Sequence, residues 1–289
     1  MATLLVLTGP TASGKTALAI RWAERLRTEI LSADSRQFYR EMRIGTAAPT
    51  PDELRRVPHH FVQHLSIHDS YNVYRYEQDA LALLEKLFQN HENVILCGGS
   101  GLYIDAVCNG IDLLPDPDPE LRENLHRMLR ENRVEEFHKM LKEKDPEYYD
   151  VVDRNNPVRM VRALEVCIQT GQPYSTLRKQ QAKERPFQII KYAIALPREV
   201  LNERINRRVD RMMEEGLEAE ARQLYPLRHL NALQTVGYRE LFDHFDGKCT
   251  LEESVEAIKA HTRQYAKRQM TWFKRDSDYR WISPEEMPF

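Results

Sequence analysis

Eight residues near the N-terminus have the types and spacing of a phosphate-binding loop. They match the pattern G-x-x-x-x-G-K-[ST] and are Gly9, Pro10, Thr11, Ala12, Ser13, Gly14, Lys15 and Thr16. In such a loop, backbone N–H groups and the dipole of the following helix bind phosphate oxygens. The lysine brings a positive charge to the terminal phosphate, and the threonine hydroxyl can hold Mg²⁺. The sequence therefore predicts a di- or triphosphate site, without identifying the compound.

A second candidate for chemistry is Asp34, which follows a predicted strand at residues 29–32. In a doubly wound parallel sheet, this position lies at the carboxyl edge beside the phosphate-binding loop. A carboxylate there can bind Mg²⁺ or accept a proton from a nucleophile. An aspartate after a strand is also a common helix N-cap, so a purely structural role stays open.

Strand-like and helix-like stretches alternate along the first hundred residues and must position these groups. Strands are predicted at 4–7, 29–32, 61–65 and 93–97, helices at 16–26 and 76–88, and further strands at 187–195 and 279–282. The continuous apolar run at 4–7 is typical of strands buried on both faces. This βαβ rhythm predicts an α/β fold with a P-loop NTPase-like parallel sheet core.

The strand pattern is interrupted after three prolines within residues 115–119, and residues 120–185 show only helical patterns. We therefore predict a core of residues 1–117 and 188–289, with a helical insertion domain at 118–187. Two consecutive domains are the alternative, but the return of strand pattern late in the chain argues against it.

The composition is that of a globular protein, with 42% hydrophobic residues and a net charge of −2. The four cysteines are far apart in the chain, which favours free thiols in a cytoplasmic protein over a disulfide or zinc framework. No apolar run has the length of a membrane span, so no membrane partner is expected. Four histidines between 59 and 68 lie in a stretch that looks extended, and their spacing does not favour a metal site.

Further motifs follow in order, and together they resemble the bacterial tRNA dimethylallyltransferases (tRNA isopentenyltransferases). The matching stretches between residues 9 and 273 are GPTASGKT, DSRQFY, GTAAPT, PHH, GGSGLY, NPVRMVRALE, VGYR and TRQYAKRQMTWF. Two positions depart from the family pattern. Ser100 replaces a usual threonine and keeps the hydroxyl, while Ala48 replaces a frequent lysine and removes a charge.

The resemblance implies transfer of a dimethylallyl group from dimethylallyl diphosphate to N6 of the adenosine 3′-adjacent to the anticodon in tRNA. It implies Mg²⁺ as the cofactor and a monomer. Asp34 would be the general base, while Thr16 and Arg208 would assist departure of the diphosphate. Arg204 or Arg211 could take the place of Arg208.

The resemblance also assigns contacts with the tRNA anticodon stem-loop, with the helical insertion contacting the stem. The residues concerned are Asp34, Ser35, Arg36, Gln37, Ser100, Arg122, Val158, Arg159, Met160, Val161, Arg162, Gln234, Thr235, Val236, Gly237, Tyr238 and Arg239. Arg159 and Arg162 share a helix face and could equally be an ordinary surface pair.

A basic stretch near the C-terminus fits an RNA partner, because residues 259–275 hold six Lys or Arg and no acid, interleaved with aromatics. Phosphate contacts are expected from Lys259, Arg263, Lys267 and Arg268. The alternative is a solvated basic face that packs on the core through its aromatic residues.

Three other functions share part of this pattern. A small-molecule kinase would have the same loop and an acidic residue after the second strand, but it needs no basic aromatic C-terminal helix. An adenylate isopentenyltransferase would act on free nucleotide, whereas the insertion and the basic helix favour a polymeric acceptor. A phosphate-loop RNA-binding switch would bind tRNA without modifying it.

Overall fold

The computed structural model describes residues 1–179 and 181–289. Within these residues six strands form one sheet: β1 (Thr3–Thr8), β2 (Ile30–Ser32), β3 (His59–His60), β4 (Asn93–Gly98), β5 (Gln188–Ile194) and β6 (Arg280–Ile282). The strand order is β3-β2-β4-β1-β5-β6, and all neighbouring strands are parallel. The predicted α/β fold with a P-loop-like parallel sheet is confirmed.

Helices follow or separate the strands over the same described residues. They are α1 (Lys15–Leu26), α2 (Pro51–Arg56), α3 (Val73–Leu87), α4 (Gly101–Asn109), α5 (Pro119–Arg130), α6 (Val134–Lys144), α7 (Pro146–Val151), α8 (Pro157–Thr170), α9 (Tyr174–Leu177), α10 (Arg198–Glu214), α11 (Leu217–Leu224), α12 (Tyr238–Phe245) and α13 (Leu251–Phe273). None of these described helices is long and apolar enough to cross a membrane.

The core of the sheet lies on both sides of β1, which is buried along its whole length. Successive side chains of a strand point to opposite faces. Accordingly, Leu4 belongs to an apolar cluster with Tyr76 of α3, and Leu7 to another with Trp22 of α1. Burial on both faces explains the continuous apolar run, and it holds the end of β1 rigidly where the phosphate-binding loop begins.

The third predicted strand, residues 61–65, was wrong. The strand in this region is the two-residue β3 at His59–His60, and Leu65 forms only an isolated bridge with Tyr39. Phe61 and Gln63 have φ angles of 61° and 50°, in the left-handed region. Left-handed residues cannot continue a strand, so the aromatic and apolar pattern of this stretch reflects packing in a loop.

The chain divides into two compact units, residues 1–108 with 184–289 and residues 109–183. The predicted boundaries lay at 118 and 188, further along the chain. Residues just before α5 join the helical unit, because Arg162 donates to the Pro115 carbonyl at 2.7 Å and Gln169 to that of Asp116 at 2.9 Å. Arg185 instead bonds the core through the Val107 carbonyl at 2.9 Å.

Candidate active site

The phosphate-binding loop, residues 9–16, connects β1 to α1 as predicted. Gly14 is the N-cap of α1 and has φ 92°, in the left-handed region that glycine adopts without steric cost. The Thr8 hydroxyl donates to the Gly98 carbonyl at 2.9 Å and ties the start of the loop to the end of β4. The loop is thereby held at the carboxyl edge of the sheet, where parallel α/β folds bind ligands.

A cavity of about 180 Å³ lies against this loop. Its lining includes Lys15, Thr16, Asp34, Gln37 and Arg208. The tertiary structure therefore gathers the lysine and threonine of the loop, the candidate base and one of the three candidate arginines around a single space.

The cavity contains buried cations close to carboxylates. Burial lowers the pKa of Lys15, an effect that the nearby Asp34 carboxylate opposes. Burial also lowers the pKa of Arg208, again opposed by Asp34. Two desolvated cations share the cavity with the carboxylates of Asp34 and Glu53. An anionic ligand bound there would relieve the cost of burying the cations.

The three candidate arginines on α10 occupy different positions. Arg208 Nη1 lies 3.3 Å from Thr11 Oγ1 and lines the cavity, whereas Arg204 Nη1 lies 3.4 Å from the Ser13 carbonyl oxygen. Arg204 and Arg208 are four residues apart and share a helix face. Arg211 is close enough to Arg208 to lower its pKa. Both Arg204 and Arg208 thus contact the phosphate-binding loop.

Asp34 does not cap an α-helix, because residues 35–38 form turns. Its Oδ1 accepts a hydrogen bond from the Arg36 backbone N–H at 3.2 Å, an Asx-turn that holds the carboxylate beside the cavity. The Ser35 backbone N–H donates to Ser100 Oγ at 3.0 Å. The turn after β2 is therefore joined to the turn after β4, which brings two of the predicted motifs together.

The GTAAPT stretch is held over the cavity by two side chains. Gln37 Nε2 donates to the carbonyls of Thr46 and Ala47, at 3.2 and 3.0 Å. The Glu220 carboxylate on α11 accepts from three successive backbone N–H groups, residues 43–45, at 2.8 to 3.1 Å. Sequence reasoning missed Glu220, and no local signal marks a lone glutamate on a helix as the anchor of a distant loop.

His59 also lines the cavity. Its Nδ1 lies 2.8 Å from the Val57 carbonyl oxygen, and its buried Nε2 has no hydrogen-bond partner among the described residues. Burial lowers the pKa of this histidine, which favours the neutral ring. The histidine stretch thus contributes a neutral ring to the cavity wall.

The predicted tRNA contacts in the helical unit fall into two groups. Arg122 and Arg162 each donate to Glu165 Oε2 at 2.7 Å, and that carboxylate is fully buried. Met160 and Val161 are buried in the apolar core of this unit. Val158 and Arg159, on the N-terminal turn of α8, are exposed.

The predicted contacts before and within α12 also differ in exposure. Gln234 and Arg239 are exposed, whereas Gly237 and Tyr238 are buried. The Tyr238 hydroxyl donates to Glu220 Oε1 at 2.6 Å. Tyr238 therefore supports the anchor of the GTAAPT loop, and the exposed side chains on either side of it face solvent.

The basic stretch lies on α13, where its cations are not equivalent. Lys259 pairs with Asp210 at 2.8 Å, and Arg263 Nη1 donates to Asn206 Oδ1 at 2.6 Å. Lys267 and Arg268 are exposed. Phe273 is fully buried, so part of the aromatic interleaving is packing against the core.

Comparisons with known proteins identify the family of this chain. A family model described as IPP transferase matches residues 37–276. The tRNA dimethylallyltransferase 1 of Phocaeicola vulgatus is 52% identical over 284 residues, which are 98% of this chain and 95% of that protein.

Two solved structures share the fold. The crystal structure of a tRNA isopentenylpyrophosphate transferase from Bacillus halodurans has a TM-score of 0.72 and 35% identity, covering 100% of this chain and 92% of that one. A eukaryotic dimethylallyltransferase acting on tRNA has a TM-score of 0.80 and 26% identity, covering 98% of this chain and 74% of that one. The motif resemblance is confirmed: the chain belongs to the IPP transferase family of tRNA dimethylallyltransferases and is an enzyme, a prenyltransferase.

Proposed function

We propose that the enzyme transfers the dimethylallyl group of dimethylallyl diphosphate to N6 of the adenosine 3′-adjacent to the anticodon in tRNA, giving N6-isopentenyladenosine. The observation that carries this proposal is the single cavity lined by the phosphate-binding loop, Arg208 and Asp34. It offers cations for a leaving diphosphate and a carboxylate for an amine proton within one cavity.

The phosphate-binding loop, Lys15 and Arg208 hold the diphosphate. Breaking the bond between C1 of the dimethylallyl group and the bridging oxygen increases the negative charge on the departing diphosphate. Cations fixed in a partly desolvated cavity stabilise this growing charge more than they stabilise the bound substrate, and such a difference lowers the barrier.

Asp34 is the proposed general base. The N6 amine of adenine is a poor nucleophile, because its lone pair is delocalised into the ring. As the bond from N6 to C1 forms and the C1–O bond breaks, the nitrogen acquires positive charge and must lose a proton. Transfer of that proton to the Asp34 carboxylate completes the balance, with diphosphate as the leaving group.

Mg²⁺ is the proposed cofactor. The Thr16 hydroxyl and the Asp34 carboxylate both line the cavity, and oxygen ligands are those that Mg²⁺ prefers. The described residues hold no cluster of three or more His, Cys, Asp or Glu side chains that could bind a metal. Thr16 would therefore share the ion with diphosphate oxygens and water, and the bound ion would supply further charge neutralisation.

The acceptor is proposed to be the tRNA anticodon stem-loop. Exposed cations on two elements support this: Arg159 on α8, and Lys267 and Arg268 on α13. Such side chains supply the phosphate contacts on which RNA affinity depends. All groups invoked in the reaction come from one chain, so we propose a monomeric enzyme, located in the cytoplasm with its tRNA.

Nucleoside analysis tests the proposed function. An anticodon stem-loop incubated with the enzyme, dimethylallyl diphosphate and Mg²⁺ should yield N6-isopentenyladenosine next to the anticodon and one diphosphate per modified nucleoside. Free adenosine monophosphate as the acceptor separates an adenylate isopentenyltransferase, and ATP with small alcohols separates a kinase. Tight RNA binding without prenylated product under every metal condition contradicts the proposal and indicates an RNA-binding switch.

A further inference from the structure

Gln269 of α13 joins two turns at the carboxyl edge of the sheet. Its side chain is buried, with only 5% of the residue exposed. The carboxamide Oε1 accepts a hydrogen bond from the Thr11 backbone N–H at 2.8 Å, and Nε2 donates one to the Gly99 carbonyl at 2.8 Å. Thr11 lies in the phosphate-binding loop and Gly99 in the glycine-rich turn after β4. One amide group thus connects α13 to both turns.

The chemistry of the partners defines the orientation of this amide. A backbone N–H can only donate and a carbonyl oxygen can only accept, so the side chain must supply one acceptor and one donor in these positions. The fit at Gly99 is also tight, because a Cβ at this position would collide with Gln269 Nε2. A side chain at position 99 would therefore displace the Gln269 amide from its two hydrogen bonds.

The bond to Thr11 has a consequence for the phosphate-binding loop. Such loops bind phosphate through backbone N–H groups, but the N–H of Thr11 is already engaged by Gln269. This N–H anchors the loop and leaves phosphate binding to the residues that follow. The Thr11 hydroxyl lies 3.3 Å from Arg208 Nη1, so the same residue also touches the cavity's arginine.

We propose that Gln269 is a positioning residue for diphosphate binding. It holds Thr11 in place and, through Thr11, the phosphate-binding loop and Arg208 in the arrangement that receives the diphosphate. This inference rests on the proposed function for the identity of the ligand. Gln269 contacts no reacting atom, so its removal weakens binding of the diphosphate and leaves proton transfer to Asp34 intact.

The change Gln269→Glu tests this role through pH. A protonated carboxyl group can accept from the Thr11 N–H and donate to the Gly99 carbonyl, as the amide does. A carboxylate cannot donate, and burial raises the pKa of such a group. The ratio of variant to wild-type dissociation constants for inorganic diphosphate should be within about threefold near pH 5.5 and above about tenfold near pH 8.5.

Matched variants separate positioning from general damage. Gln223→Glu makes the same chemical change at an exposed site on α11 and should leave the ratio near one at every pH. Gly99→Ala and Gln269→Met should each weaken diphosphate binding, and the double variant should be little worse than either single variant. Should Gln269→Met fail to fold, the glutamate variant at acidic pH still preserves both hydrogen bonds and remains a valid comparison.

The binding measurements are made without tRNA and need no turnover. If the ratio of Gln269→Glu to wild-type dissociation constants for inorganic diphosphate does not change with pH, the positioning role is overturned. It is also overturned if the variant loses as much affinity for tRNA as for diphosphate at alkaline pH. In a turnover assay, the variant should raise KM for dimethylallyl diphosphate at alkaline pH with kcat within about threefold of wild type. If the wild-type enzyme forms no prenylated nucleoside, the proposed function is overturned. The comparison of diphosphate binding between variant and wild type still tests the positioning role in that case.

Discussion

At the scale of single residues, Asp34 and Lys15 lie in one cavity, but substituting each should impair a different property of the enzyme. For Asp34→Asn we expect kcat to fall about 10²- to 10⁴-fold, because the amide cannot take the N6 proton. Affinity for tRNA should change little, since the amide oxygen still accepts hydrogen bonds. Single-turnover rates at saturating substrates measure the effect, with the exposed Asp278→Asn as the control. A rate within about threefold of wild type would leave Asp34 only its Asx-turn role.

Lys15 should make diphosphate binding sensitive to alkaline pH. Burial lowers the pKa of this lysine, so its charge is lost at a lower pH than that of an exposed lysine. As the pH rises through that lowered value, KM for dimethylallyl diphosphate should increase. In Lys15→Met, KM should be at least about tenfold higher at neutral pH and should lack this alkaline rise. If KM for dimethylallyl diphosphate rises in the same way at alkaline pH in the wild type and in Lys15→Met, the titrating group is not Lys15.

At the scale of an element, the cationic side chains of α13 include both ones paired within the protein and ones exposed to solvent. The Lys259 ammonium pairs with Asp210 and Glu256, at 2.8 and 2.9 Å, whereas Lys267 and Arg268 are exposed. A cation already paired within the protein adds little to phosphate binding, because the pair must first be broken. The two exposed side chains are therefore the stronger candidates for phosphate contacts.

Salt dependence tests this division of α13. Replacing Lys267 or Arg268 with Gln should reduce the slope of log K against log salt concentration by about one unit each. Lys259→Gln on the same helix should leave the slope nearly unchanged. Titrations of tRNA across a range of salt concentrations give the slopes. Unaltered slopes for both exposed cations would show that this face of α13 is solvated and does not contact RNA.

At the scale of the whole molecule, each compact unit has its own apolar core. Phe137, Leu141 and Leu164 belong to the core of the helical unit, and the clusters around the sheet draw only on residues of the other unit. Separate cores allow separate folding. The chain enters and leaves the helical unit at neighbouring points, because the Lys183 N–H donates to the Asn109 carbonyl at 2.7 Å.

Replacing residues 109–183 with a short glycine-serine linker should leave a folded core. We expect its affinity for inorganic diphosphate to stay within about threefold of the full chain, while its affinity for tRNA falls at least about tenfold, because the exposed cation Arg159 is lost with the unit. Thermal melting establishes folding, and parallel titrations with the two ligands measure affinity. Undiminished tRNA affinity of the shortened protein would contradict a role of the helical unit in RNA binding.

The sequence alone was sufficient wherever the physical cause is local. The phosphate-binding loop needs a strand, a glycine with positive φ and a helix start, and all three lie within residues 3–26. The apolar run of β1 predicts burial on both faces, and that burial is observed. The order of motifs along the chain also identified the family. The loop and the apolar run are readable because each depends on residues that are neighbours in the chain.

Only the tertiary structure decided which distant residues complete the site. Glu220 anchors a loop about 175 residues away in the chain, and Gln269 contacts Thr11 across 258 positions. The left-handed Phe61 and Gln63 ended a strand that the residue pattern had favoured. Hydrogen bonds across such separations depend on how helices pack against the sheet edge, and packing geometry leaves no local pattern of residue types. For that reason the fold and the family could be predicted from sequence, while the distant side chains that position the loops of the site could not.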